Sequence, residues 1–177
     1  GDDAILQYSK IFDSIELTSI KVTAKEIKKA ATLVDNDLKE AIALAKSNIE
    51  KFHSNEITDE SVTETAPGVV CWRENVAIQK VGLYIPGGSA PLFSTVLMLA
   101  VPATIAGCDE IILCTPPMKD GSVNPVVLYT ASISGITQIF KVGGAQAIAA
   151  MALGTETIPR VFKIFGPGNQ YVTKAKE

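Results

Sequence analysis

One stretch decides the fold: Val81-Gly82-Leu83-Tyr84-Ile85-Pro86-Gly87-Gly88-Ser89-Ala90-Pro91. A β-like apolar run ends in its glycine-rich turn, and a helix-like stretch follows. The same arrangement recurs in Val142-Gly143-Gly144-Ala145-Gln146 and in Phe165-Gly166-Pro167-Gly168-Asn169. Glycine lets a backbone approach a ligand closely, and a helix start presents unpaired N–H groups and the positive end of its dipole. The three turns therefore predict a nucleotide-binding α/β unit.

Strand-like and helix-like segments alternate outward from this stretch, which is the rhythm of a parallel sheet. We expect strands at 81–85, 110–114, 138–142 and 161–165, and helices at 92–106, 125–134, 145–153 and from 169 onward. The predicted fold class is α/β, a Rossmann-like parallel sheet with flanking helices, preceded by a small helical region and a β-ribbon.

The first third is more charged and helical in pattern. Ile5, Leu6, Tyr8 and Phe12 are spaced like one helix face. A second helix is expected after Thr23, because Glu26 completes a capping box, and a third from about Asp35 to His53.

A linker or exposed loop is expected at 54–66. A β-ribbon is predicted from 69–72 and 76–78, with its turn at Glu74-Asn75. The predicted domains are a helical region at 1–66, a ribbon connection at 67–80 and the Rossmann-like domain at 81–177.

Composition narrows the functional classes. The 177 residues are 47% hydrophobic and 20% charged with a formal net charge of -3, so we expect no general attraction to nucleic acid or anionic membrane. No apolar run reaches the roughly 20 residues of a membrane span, and the amino terminus does not resemble a signal peptide. The three cysteines lack the Cys-x-x-Cys spacing of a zinc or redox site, and their odd number argues against a disulfide framework, which favours a reducing, cytoplasmic setting.

None of the glycine turns matches a standard nucleotide motif. Gly166-Pro167-Gly168 approaches Gly-x-Gly-x-x-Gly, but Tyr171 stands where the third glycine belongs. No Lys-Ser or Lys-Thr follows Gly87-Gly88, which disfavours a P-loop and ATP hydrolysis. Each glycine pair alone could be a structural turn, whereas three on one sheet edge favour a ligand site.

Three polar side chains adjoin the turns. The ring of Tyr84 could stack on a heterocycle or be a core aromatic with its hydroxyl at the surface, and spacing alone favours the core position. Gln146 and Asn169 each open a helix, where their amides could bind a ligand or cap the helix. The sequence does not decide between these two roles.

Candidates for catalysis are few. His53 is the only histidine and lies late in a charged helix, so a surface or partly buried histidine is favoured over a catalytic one. No residues show metal-ligand spacing. Cys108 and Cys114 lie at or beside a strand, which favours small buried residues over nucleophiles.

Residues 81–98 closely resemble the signature region of the histidinol dehydrogenase family, and so do 142–149 and 164–169. The likeness is strongest from 81 to 176 and looser from 1 to 53. It implies oxidation of L-histidinol through the aldehyde to L-histidine, with NAD and zinc, by an intertwined homodimer. It also implies that Tyr84, Gln146 and Asn169 match NAD-contacting positions.

The resemblance further implies that the zinc ligands and a Glu-His acid–base pair lie beyond Glu177. Family members are more than twice as long, so we expect a truncated chain that is inactive alone, with no catalytic or metal-ligating residue of its own. A non-catalytic α/β binding or assembly module that keeps the family scaffold is the alternative.

Overall fold

The computed structural model describes residues 1–56, 61–88 and 91–177. In chain order its elements are α1 (Asp2–Tyr8), a π-helical turn (Ser9–Asp13), α2 (Ala24–Leu33), α3 (Asn36–Ser54), β1 (Val62–Ala66), β2 (Val69–Trp72), β3 (Lys80–Tyr84), α4 (Phe93–Ile105), β4 (Glu110–Thr115), α5 (Pro125–Ile133), β5 (Gln138–Lys141), α6 (Gly144–Leu153), β6 (Lys163–Phe165) and α7 (Gln170–Lys176).

Four strands form the predicted parallel sheet, in the order β5-β4-β3-β6. Leu83 lies opposite Leu113 of β4 and opposite Phe165 of β6 in this register. The chain moves outward from β3 through β4 to β5 and then returns to the other side of β3. This doubly wound order confirms the predicted Rossmann-like α/β class.

Strands β3, β4 and β5 are buried on both faces because helices cover each side, whereas the edge strand β6 is largely exposed. Tyr84, Cys114 and Phe140 face a core shared with α6, α1 and α7. Leu83 and Leu113 point the other way, into a core with α4, α5 and α2. Adjacent strand residues thus enter different cores, as the two-residue period of a strand requires.

The amino-terminal helices pack on the α/β unit. The capping box predicted at Thr23 is confirmed, since the Thr23 side chain accepts from the Glu26 amide and the Glu26 carboxylate accepts from the Thr23 amide. Helix α2 packs on α5, and α3 packs on α4. The Val22 amide donates to the Ile139 carbonyl at 2.9 Å, which joins the helical region to the β5 edge of the sheet.

The predicted ribbon pairing was wrong. Strand β1 pairs antiparallel with β2 across Pro67-Gly68, and residues 73–78 form no strand. Gly68 supplies the positive φ, +76°, that this turn uses. The polar side chains of 62–66 suggested a linker because β1 is solvent-exposed along its whole length. Residues 57–60 of that predicted linker lie outside the described residues, and the domain boundaries stay a prediction.

The first helix is also shorter than its apolar spacing suggested. Helix α1 ends at Tyr8, the π-helical turn follows, and Ser14 adopts a left-handed φ of 57°. Ile5 is buried, whereas Tyr8 and Phe12, which the spacing put on the same helix face, are exposed and stack on each other. Because the π-helical turn changes the helical period, Phe12 does not continue the buried face of Ile5.

Candidate functional site at the carboxyl edge of the sheet

The order of the strands reverses between β3 and β6. Ligands of doubly wound folds bind outside the carboxyl ends of the strands at such a switch point. The turns that contain Gly87-Gly88 and Gly166-Pro167-Gly168 leave the sheet at this place. Two of the three predicted glycine turns therefore flank the expected ligand crevice; Ser89 and Ala90 of the first turn lie outside the described residues.

Gly166 joins the two strand ends by a close backbone approach. Its φ is +136°, and a Cβ at this position would overlap the carbonyl oxygen of Tyr84. Gly168 is similarly restricted, since its Cβ would overlap a methyl group of Val172 in α7. Both glycines are thus explained by contacts within the chain.

Pro116, directly after β4, explains two more glycines. A Cβ on Gly87 would lie 2.7 Å from Cγ of Pro116, and one on Gly143 would lie 2.6 Å from its Cβ. The proline ring fits between the turns after β3 and β5 only because neither residue has a side chain. Gly87 and Gly143 therefore have the structural role that the sequence left open, because they allow the chain to pack against Pro116.

Tyr84 links two of the glycine turns. It is 3% exposed, and its hydroxyl oxygen accepts a hydrogen bond from the Gly144 amide at 2.9 Å. Burial is the main reason that the pKa of its phenol is raised, with the negative charge of Asp13 contributing as well. The ring is a core aromatic, as its spacing favoured, but its hydroxyl is not at the surface: the neutral hydroxyl is hydrogen-bonded within the fold and organises the start of α6.

Gln146 folds back over the same turn. Its Oε1 lies 2.8 Å from the place where a Gly144 Cβ would stand, and its Nε2 makes a long, 3.5 Å hydrogen bond to Oδ2 of Asp13. Gly144 itself has a φ of +63°. The Gln146 amide thus lies within the site and does not cap α6, whose N-cap forms no side-chain hydrogen bond.

Asn169 caps a helix. Its Oδ1 accepts from the amides of Tyr171 and Val172 at 3.0 and 3.1 Å, which is the capping alternative. Within the described ranges its side-chain NH₂ group has no hydrogen-bond acceptor. The structure thus brings Tyr84 and Gln146 together at Gly144, while Asn169 lies apart on the turn after β6.

Asp13 is the site residue that sequence reasoning missed. It is half-buried beside Gln146, and desolvation raises the pKa of its carboxyl. No local motif marks it, because the folding of the amino-terminal segment against α6 brings it there.

The other candidates lie elsewhere. His53 forms a 2.7 Å pair with Glu56 at the end of α3. Cys114 is fully buried, which raises the pKa of its thiol strongly, and Cys108 is half-buried. In the described parts of the chain no three His, Cys, Asp or Glu residues are grouped as metal ligands would be. None of the helices described there is both long and apolar enough to cross a membrane.

The sheet order and the glycine turns at its reversal define a doubly wound, Rossmann-like α/β protein. The sequence model of the histidinol dehydrogenase family matches residues 1–177. Histidinol dehydrogenases of Bacteroides thetaiotaomicron and Xylella fastidiosa are 60% and 53% identical over 177 residues, all of this chain and 41% of each relative. The crystal structure of histidinol dehydrogenase from Elizabethkingia anophelis superposes with a TM-score of 0.97 at 56% identity, covering 99% of this chain and 40% of that one.

The chain belongs to the histidinol dehydrogenase family, as its resemblance predicted. It spans about 41% of the length of the curated relatives it matches.

Proposed function

We propose that this chain forms the NAD-contacting part of a zinc-dependent histidinol dehydrogenase, which oxidises L-histidinol to L-histidine in histidine biosynthesis. The observation that carries the proposal is the family match over residues 1–177. The convergence of Tyr84, Gly144 and Gln146 on one turn of a doubly wound sheet supports it.

The polar groups at the sheet edge fit a dinucleotide. Gln146 has an amide oxygen over Gly144, and the NH₂ group of Asn169 has no acceptor among the described residues. Bound NAD supplies the hydride acceptor of the reaction. In this proposal Gln146 and Asn169 hydrogen-bond the cofactor, and the neutral Tyr84 hydroxyl holds the Gly144 amide in place.

Zinc does not fit the residues that the structure describes, because no metal-ligand cluster occurs among them. We therefore assign the zinc ligands and the acid–base residues to sequence outside this chain, and we propose that the chain alone is inactive. The proposal includes a cytoplasmic homodimer. The exposed apolar side chains of the β1–β2 ribbon, among them Val69, Val70 and Trp72, support a partner surface.

Titration of NAD into the protein expressed from its complete reading frame tests the cofactor role. We expect Gln146→Ala to weaken NAD binding by about 3-fold to 10-fold, the effect of losing one hydrogen bond. Gln79→Ala is the matched control, because Gln79 is exposed at the amino-terminal edge of the sheet. Equal NAD affinity in the two variants would show that Gln146 does not bind the cofactor.

A non-catalytic binding or assembly module is the second candidate, favoured by the lack of a metal-ligand cluster in the described parts of the chain. The complete reading frame separates the two. Downstream Glu, His and Asp residues, together with NAD reduction in the presence of L-histidinol, support the enzyme; their absence supports the module.

A further inference from the structure

The carboxylate of Asp13, at the end of the π-helical turn, faces the first turn of α6. Its Oδ2 faces the Gln146 amide at 3.5 Å, and its charge acts on the Tyr84 phenol, whose hydroxyl holds Gly144. Three elements remote in sequence therefore place one acceptor-only group beside a proposed cofactor contact, Gln146, and beside the tyrosine that holds Gly144. The NAD role assigned above does not use this group.

This carboxylate has no neutralising partner. In the parts of the chain that the structure describes, no Lys, Arg or His nitrogen lies within 4.0 Å of Asp13, and the nearest lysine in sequence, Lys10, pairs with Glu16. The Gln146 contact is too long to repay the lost hydration of a half-buried charge. Burial accordingly raises the pKa of the Asp13 carboxyl. The Asp13 carboxylate is therefore partly desolvated and makes only one long hydrogen bond within the fold, as expected of a group that binds a ligand.

The backbone around Asp13 is unusual as well. Asp13 ends the π-helical turn, and Ser14 is the only non-glycine residue with a positive φ in the described ranges. The Ile15 amide donates to the Ser9 carbonyl at 3.3 Å across this turn. π-Helical turns and left-handed non-glycine residues concentrate at functional sites, since surrounding structure must hold them.

The chemistry of an ionised carboxylate limits what can bind beside it. It accepts hydrogen bonds from hydroxyl and amide groups, and it repels phosphate. The Gly144 amide, the first N–H of α6, is already bonded to Tyr84. A dinucleotide would therefore present an uncharged donor here and keep its phosphates near the turns after β3 and β6.

We propose that Asp13 is a cofactor-facing residue that accepts a hydrogen bond from a hydroxyl or amide donor of the dinucleotide and keeps phosphate away from the start of α6. This inference rests on the proposed NAD function. Under this proposal the start of α6 binds uncharged hydrogen-bond donors of the cofactor and does not bind its phosphates.

Calorimetric titration of NAD and of inorganic pyrophosphate into the protein from its complete reading frame tests the proposal. Asp13→Asn removes the charge and keeps the shape, and Asp3→Asn removes the same charge from an exposed position on α1. We expect Asp13→Asn to weaken NAD binding at least about 3-fold and to tighten pyrophosphate binding, relative to Asp3→Asn. Its urea midpoint should be no lower than that of the parent protein, because a desolvated charge is lost.

Unchanged affinity for both ligands overturns the proposal. Equal weakening of both with a lower urea midpoint overturns it too, because that pattern indicates a structural role. If the parent protein binds no NAD, the proposed function fails, and the pyrophosphate titration alone tests whether the Asp13 charge repels phosphate. Tighter pyrophosphate binding in Asp13→Asn then supports the charge effect, and unchanged binding refutes it.

Discussion

Replacement of Gly166 by alanine should destabilise the protein more than the same replacement at a described glycine that has free space around it. The φ of +136° is a conformation that side chains rarely adopt, which costs about 1–3 kcal/mol. The added Cβ would also overlap the carbonyl oxygen of Tyr84 and lie 2.9 Å from its carbonyl carbon. Relief of that overlap must move backbone, at about 1–3 kcal/mol.

Gly135→Ala is the matched control. Gly135 has a φ of +82° at the end of α5, and a Cβ there meets nothing within 4 Å. Its expected loss is about 1–2 kcal/mol, from the left-handed conformation alone. Because both glycines have a positive φ and only Gly166 has a close neighbour, most of the difference between the variants reports the overlap with Tyr84.

Urea unfolding followed by far-UV circular dichroism measures both losses. The single tryptophan, Trp72, is 61% exposed on the β1–β2 ribbon and reports poorly on the sheet. We expect Gly166→Ala to lose at least about 1 kcal/mol more than Gly135→Ala and, under the proposed function, to bind NAD more weakly. Losses that agree within about 0.5 kcal/mol would refute the steric argument.

Three further predictions concern Cys114, Glu26 and Tyr84. In the native protein a thiol reagent should modify the exposed Cys71 and spare Cys114 until denaturant is added, because burial raises the pKa of the Cys114 thiol; equal labelling rates would contradict this. Burial alone would raise the pKa of Glu26, but the hydrogen bond from Lys141 and those of the N-cap threonine lower it below 4.5. The stability lost in Glu26→Gln, about 1.5–3 kcal/mol at neutral pH, should therefore shrink as pH falls through the depressed pKa, and a pH-independent loss in urea titrations would be contrary. Tyr84→Phe leaves the amide at the start of α6 without its acceptor and should lower the free energy of unfolding by about 1–3 kcal/mol, measured in the same way; an unchanged free energy would contradict the role of the hydroxyl.

Much of the fold could be predicted because its signals are local. Thr23 and Glu26 lie three residues apart, so their capping box marks the start of α2 in any context. The alternation of apolar runs with glycine turns likewise predicted all four parallel strands. The ribbon failed because β1 is polar and exposed, and its period-2 pattern has no buried face to reveal it.

The candidate site was predicted less completely. Tyr84 and Gln146 flank glycine turns and were identified from the sequence as candidates, although only the structure brings them together. Asn169 serves first as a helix cap. Asp13 carried no signal, because its position depends on how α1 and the π-helical turn pack against α6.

The sequence by itself determined the fold class, the family and the edge of the sheet where the glycine turns gather, because each depends on periodicity and residue order along the chain. Only the tertiary structure decided what those glycines contact. Gly143 makes room for Pro116, and Gly166 makes room for the Tyr84 backbone. The first amide of α6 donates a hydrogen bond to the Tyr84 hydroxyl, and the Gln146 side chain faces the Asp13 carboxylate. The reason is physical: a glycine permits close approach of any group, and which group approaches is set by chain segments that meet only in the folded protein.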